Sequence, residues 1–564
     1  MAKAGAFTFV LHSHLPYCRR AGRWPHGEEW LHEAAAETYI PLLNALYDLH
    51  EAGLRVRLTL SLTPILCEQL ADPLVRDNFE TYLAEKLEAA ERDVPRFEQQ
   101  GDAHAEYLAK FYRDWYAGTA HAFRERYGRN VIQAFRVLQD AGVVEVITSA
   151  ATHGYLPLLT TDSAIRGQLK AGVASYSRYF GRAPRAIWLP ECAYRPAYVT
   201  EDGTTRPGIE SDLAAEGLGL FFTETHTIEG GLPVGKAAGD AIGPYQAIKR
   251  NYVLPIGEAE EAPSGRTTYR PYYVADTSNG RSGLHSGVAA IGRNDRTSMQ
   301  VWSAEFGYPG NFDYREFHKK DHVSGLQYWR VTGAGADLGQ KDWYHPDWAA
   351  KRVEEHSQHF VSLVAELLDG YRAETGQFGL IASNYDTELF GHWWFEGVDW
   401  LREVLLHLAG SDSVELVTAS GYLERHPPED VLALPEGSWG LGGSHWTWDN
   451  PETHWMWQPI GAAERRMQLA AQSNLGAEDA GLISVLNQAA RELLLLESSD
   501  WPFLVTTGQA KEYAVQRFTG HVERFEKLIG SVEQGRPDRA LADELWELDK
   551  VFPDIDYRWW AGSE

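Results

Sequence analysis

Two carboxylates, far apart in the chain, each follow directly on a short apolar run. Glu191 stands in AIWLPECAYRP, where Pro190 ends the strand-like pattern and removes a backbone donor. Asp386, with Glu388 two residues on, stands in FGLIASNYDTELFGHWWFEG, just ahead of His392, Trp393 and Trp394. A pair of carboxyl groups can supply the acid and the nucleophile that break a glycosidic bond, and flat aromatic faces can stack on sugar rings. Each residue also has a plainer reading. Glu191 could be the ion-pair partner of Arg195, and one of two adjacent Trp side chains usually points into a core.

His12 and His14 sit two apart in VLHSHLPY, so in a strand both face the same side. His153, in ATHGYLP, repeats the placement after a later run. An HxH pair could begin a metal site, but no convincing third ligand accompanies it, and imidazole bonds sugar hydroxyls equally well. The reading taken is substrate or structural hydrogen bonding, with no metal and no cofactor. A third cluster, GSWGLGGSHWTWDNPETHWMW, brings Trp439, His445, Trp446, Trp448 and Asp449 together with glycines that permit close backbone approach. It reads as a sugar platform or as an apolar hinge between two regions. Trp302, in QVWSAEFGYPG, is a similar candidate.

The elements that must position these groups are β-prone runs over 6–12, 55–62, 143–148, 186–189, 218–223, 379–383 and 414–418, with helical patterns between them. Such alternation predicts a parallel α/β body, and chemically capable residues just beyond the runs suit strand ends that open onto an active face. The stretch 72–140 reads as a helical insertion. A segment from 228 to about 247, IEGGLPVGKAAGDAIGPYQ, holds five glycines and two prolines and is expected to be a lid loop or a plain surface loop. From 461 onward long amphipathic segments predict a helical C-terminal region. The expected division is a catalytic domain over 1–425 and a mainly helical domain over 426–564.

Bulk composition narrows the partners. A formal net charge of -27 argues against a broad cationic surface for nucleic acid or anionic membranes, and a neutral partner fits better. Three cysteines without paired spacing, no charged-then-apolar opening and no apolar run of membrane length lead to the expectation of a cytoplasmic protein. Residue types say little about oligomeric state, for which a monomer is the default expectation.

In order along the chain, HSHLPY, WPHGEEWLHEAAAETYIPLL, ATHGYLP, WLPECAY, VWSAEFGYPG, SNYDTELFGHWWFEG and SWGLGGSHWTWDN resemble the glycoside hydrolase family 57 type of 1,4-α-glucan branching enzyme. The resemblance spans nearly the whole chain. It implies an α/β fold, an incomplete (β/α)7 barrel with a helical insertion and a helical C-terminal domain that lends aromatics to the cleft. It also implies that Glu191 is the nucleophile and Asp386 the general acid/base of a retaining transfer on an α-1,4-glucan. By the same resemblance Trp302, Trp439 and Trp448 look like tryptophans of the donor and acceptor sides, and Tyr245 like the tyrosine at the tip of the flexible loop. His12, His14, His153 and His445 are expected around the sugar. A retaining pair should stand about 5–5.5 Å apart. The rival readings are a 4-α-glucanotransferase or amylase-type hydrolase on the same fold, and a glucan-binding protein without turnover, against which the intact Glu191 and Asp386 argue.

Overall fold

The computed structural model describes residues 3–200, 202–231, 265–276, 284–303, 307–333 and 335–562. Seven strands form the parallel body: β1 (Gly5–Ser13), β2 (Leu58–Leu62), β3 (Val144–Ser149), β4 (Ala186–Trp188), β5 (Leu220–Thr223), β6 (His285–Gly292) and β7 (Gly379–Asp386). Their order is β7-β1-β2-β3-β4-β5-β6, and every neighbouring pair is parallel. Strands buried on both faces should be apolar without alternation, and β1 (GAFTFVLHS) is buried at every position.

No ladder joins β6 to β7 among the described residues, so the ring is incomplete. Loop contacts bridge the gap instead: the Asn294 N–H donates to the Ala382 carbonyl at 2.9 Å, and Thr297 Oγ1 lies 2.6 Å from Ser383 Oγ. Beyond β6 the strand Tyr272–Ala275 runs antiparallel and carries Val431–Leu432 on its far side.

One strand escaped the sequence patterns. β6 reads HSGVAAIG, and its two glycines and two alanines dilute the β-branched signal on which recognition of a strand depends. The run at 414–418 yields only Val414–Leu416, which pairs with the first residues of β1 and is not one of the seven.

Between β2 and β3 the chain is helical. Pro73–Gln100 ends at Gly101, whose φ of 72° terminates the helix, and Asp102 caps the next helix, Ala103–His121, by accepting from the Ala105 N–H at 3.0 Å. This Gly-Asp hinge folds the two helices back on each other. The C-terminal region is built from His454–Ser473, Ala480–Leu496, Asp500–Thr507, Lys511–Glu533 and Arg539–Leu548. Its leucine-rich helix Ala480–Leu496 is buried throughout 488–496, in one apolar core with Leu156, Ile165 and Leu169 of the β3–β4 connection. That packing seats the C-terminal helices beside the carboxyl ends of the strands. The expected lid at 228–247 lies outside the described residues from 232 onward, and so does Tyr245. No described helix is long and apolar enough to cross a membrane.

Candidate active site

The carboxyl ends of the strands deliver the polar residues. In the β1–β7 ladder His12 is the register partner of Asp386, so the two leave the sheet side by side. Glu191 lies three residues beyond β4, with φ 57° and ψ 29°. His153, beyond β3, has φ 58°. Left-handed backbone at a non-glycine residue costs about 1–2 kcal/mol and is retained where the surroundings hold it. For Glu191 the holder is visible: the Trp439 N–H donates to the Glu191 carbonyl at 2.8 Å, and Tyr194 bridges to Gly437. The strained turn aims Glu191 away from the sheet and into a cavity.

That cavity, of about 570 Å³, is lined by Glu191, Asp386 and Glu388, by His12, His14 and His153, and by Trp439 and Asp500. Two carboxylates separated by 195 residues thus share one chamber. Both act electrostatically on the buried Cys192 thiol, whose pKa burial pushes well up and these charges push further. Glu191 is half-buried and Asp386 buried.

The histidines form a wired wall. His12 Nδ1 lies 3.1 Å from Ser61 Oγ and its Nε2 3.0 Å from His153 Nε2. His153 Nδ1 meets Ser499 Oγ at 2.8 Å, and the His14 and His153 rings stack at 3.9 Å. His14 Nδ1 lies 3.1 Å from Thr63 Oγ1, and its Nε2 is 2.9 Å from Asp500 Oδ1. Burial alone would depress the His14 pKa, but Asp500, by charge and hydrogen bond, with help from Glu191, carries it above its ordinary value. His14, His153 and Asp500 each offer a ligand atom within 4.8 Å of the others, a grouping that takes in only one histidine of the HxH motif and leaves out His12. All four nitrogens of His14 and His153 also have hydrogen-bond partners in this arrangement.

Asp500 and Ser499 come from the segment ESSDWPF of the C-terminal region, inside the stretch from 461 onward for which a helical region is predicted. A Gly154–Ser498 bridge and the Ser499 N–H donating to the His153 carbonyl at 3.1 Å fasten this segment to the loop after β3. Two serines and an acid interrupting a leucine run were the available signal.

The tryptophans separate. Trp439 lines the cavity, packs edge-on to Trp188 at 4.9 Å and lies 5.8 Å from the Arg293 guanidinium, itself paired with the buried Glu224 at 2.9 Å. Trp448 is 1% exposed and stacks on Tyr155 at 4.2 Å, and Trp302 is 3% exposed within the main apolar core. Neither lines the cavity. His445 bonds Tyr155 Oη at 2.8 Å and Glu436 at 2.6 Å and does not line the chamber. Trp448→Ala is therefore expected to cost about 3–5 kcal/mol of stability, read from urea unfolding. An unchanged unfolding midpoint with weakened glucan binding would return Trp448 to the cleft.

Comparison with known proteins adds an independent line. Residues 8–435 match the model of glycosyl hydrolase family 57, and residues 460–560 match the 1,4-α-glucan branching enzyme C-terminal domain. The chain is 45% identical over 560 residues to a 1,4-α-glucan branching enzyme of Thermococcus kodakarensis, covering 97% of this chain and 77% of that one. The crystal structure of that enzyme in complex with glucose superposes with a TM-score of 0.87 at 43% identity, covering 100% of this chain and 97% of the other. A family 57 branching enzyme from Pyrococcus horikoshii gives 0.84 at 42% identity, with the same coverage. The α-amylase AmyC from Thermotoga maritima gives 0.81 at 29% identity, covering 99% of both chains.

Proposed function

The chain belongs to glycosyl hydrolase family 57 as a 1,4-α-glucan branching enzyme, and on that premise we propose that Glu191 is its nucleophile and Asp386 its general acid/base. The observation that supports the assignment is their convergence on one cavity, each from a strand end and with a wall of histidines beside them.

In the first half reaction a Glu191 oxygen attacks the anomeric carbon of an α-1,4-linked glucose from the β face. The bond from that carbon to the leaving oxygen breaks, and Asp386 gives its proton to that oxygen. The products are a β-glycosyl ester on Glu191 and a free 4-hydroxyl on the departing chain. In the second, the carboxylate of Asp386 takes the proton of a glucan 6-hydroxyl, whose oxygen attacks the same carbon and displaces Glu191. Two inversions give an α-1,6 branch, with Asp386 reprotonated and Glu191 free.

His12, His14, His153 and Asp500 are placed to bond hydroxyls of the glucose undergoing cleavage, and the buried Trp439 reaches the chamber wall beside the Glu191 turn. Transfer rather than hydrolysis requires that a sugar hydroxyl outcompete water, which aromatic faces that hold an acceptor sugar in the chamber favour. The experiment is incubation with amylose followed by linkage analysis before and after debranching. New α-1,6 linkages are expected; shortened chains alone would indicate the amylase-type alternative, and lengthened unbranched chains the glucanotransferase.

No step is routed through a metal. Branching activity is accordingly expected to survive dialysis against a strong chelator unchanged. A loss reversed by zinc would reassign His14, His153 and Asp500 from hydroxyl binding to metal binding.

A further inference from the structure

Glu388 is a third carboxyl group in the catalytic chamber, and the transfer mechanism gives it no task. It is 3% exposed yet lines the cavity beside Asp386. Two hydrogen bonds fall on one oxygen: the Tyr39 hydroxyl and the His14 backbone N–H, the latter at 3.2 Å, donate to Oε1, and the carboxyl group also accepts from its own backbone N–H. Tyr39 ends the short helical segment Ala35–Tyr39, and His14 follows β1, so two separate elements clamp the same atom.

The groups facing Glu388 leave little room for another negative charge. Asp386 lies two residues before it on β7, and Tyr39 from its helix is neutral, its pKa raised well above the ordinary value by burial and then by Glu388 itself. His14 is the facing cation, but Asp500 holds its Nε2, and Glu191 adds a further negative charge nearby. Burial outweighs the Tyr39 hydrogen bond and, with Asp386, pushes the Glu388 pKa up to about 8. A carboxyl group kept neutral by its surroundings is a hydrogen-bond donor, which a carboxylate cannot be.

We infer that Glu388 is a further substrate-binding residue of this enzyme: clamped through Oε1 by Tyr39 and His14, it presents a protonated Oε2 to the chamber as a donor to a hydroxyl of the bound glucose. The inference rests on the reading of this chamber as the glucan site. Glutamine is the isosteric neutral donor, whereas alanine removes the group. Glu388→Gln is expected to keep kcat/KM within about tenfold of the parent near pH 7, and Glu388→Ala to lose about a further tenfold or more, in line with a lost hydrogen bond to a polar substrate group.

The ratio of Glu388→Gln to parent activity should rise by about threefold or more from about pH 7 to about pH 9, because the parent loses its donor as Glu388 ionises and the amide does not. Infrared difference spectra on the Glu191→Gln background should show a protonated-carboxyl C=O band near neutral pH that Glu388→Gln removes. A ratio independent of pH, or no such band, overturns the inference. This spectroscopic readout also stands if the alanine variant fails to fold. Failure here leaves the roles of Glu191 and Asp386 untouched, since those variants lose turnover whatever the state of Glu388.

Discussion

Glu191→Gln is expected to lower branching turnover by about 10⁴-fold or more, while the fold and the affinity for glucan persist. The amide keeps the size of the side chain in a turn that Trp439 holds from behind, so the backbone at φ 57° need not move. What disappears is the oxygen nucleophile on the β face. Replacement by alanine opens space there, and an added small anion such as azide should restore a first step. Its attack on the face Glu191 vacates gives the β-glycosyl azide.

Asp386→Asn differs in kind. Activated substrates with good leaving groups should still load Glu191, and azide should then intercept the ester to give the α-glycosyl azide. Opposite anomers from the two variants assign the two roles; the same anomer from both, or glucan branching that persists in either, removes the double displacement.

Asp500→Asn is expected to cost about 3–5 kcal/mol of stability, because it breaks one side of a buried ion pair, and to lower kcat/KM by about tenfold or more through the loosened chamber wall. The cost falls on His14, whose Nε2 loses its 2.9 Å carboxylate partner in the chamber wall. The pH dependence has a definite sign. His14 has its pKa raised in the folded protein, so the stability its pairing contributes is present in full below the unfolded value of 6.5 and is lost as pH rises through the folded value. Urea midpoints of the parent should therefore contain a component that falls across that window and is missing in Asp500→Asn. Parallel midpoint curves for the two proteins would show that the pair is not ionised as described.

How far the chain could be read without coordinates depended on how local each signal was. Strands β1 to β5 and β7 announce themselves because a strand buried on both faces is a short apolar run, and Glu191 and Asp386 stand out because each interrupts such a run with an acid. β6 did not stand out, since a strand rich in glycine and alanine has almost no compositional contrast with a loop. Asp500 was invisible for a different reason. Its place in the chamber is made by a bridge from Ser498 to Gly154, a contact across more than 300 residues that no local pattern encodes.

The tryptophans show the limit of residue type as evidence. Trp439 and Trp448 share one aromatic stretch, yet the first lines the cavity and the second packs on Tyr155, with the turn Leu441–Gly443 between them. Glu388 stands in the same motif, two residues from Asp386, but the role inferred for it depends on Tyr39, which is far away in sequence.

The most direct test of the catalytic assignment is to trap the glycosyl enzyme with a fluorinated α-glucosyl fluoride that forms the ester faster than it breaks it, then to map the label by peptide mass spectrometry. The expected product carries one hexosyl group on the peptide containing WLPECAYR, at Glu191. A label on Asp386 or Glu388 instead, or complete inactivation without any ester, would contradict the proposed chemistry.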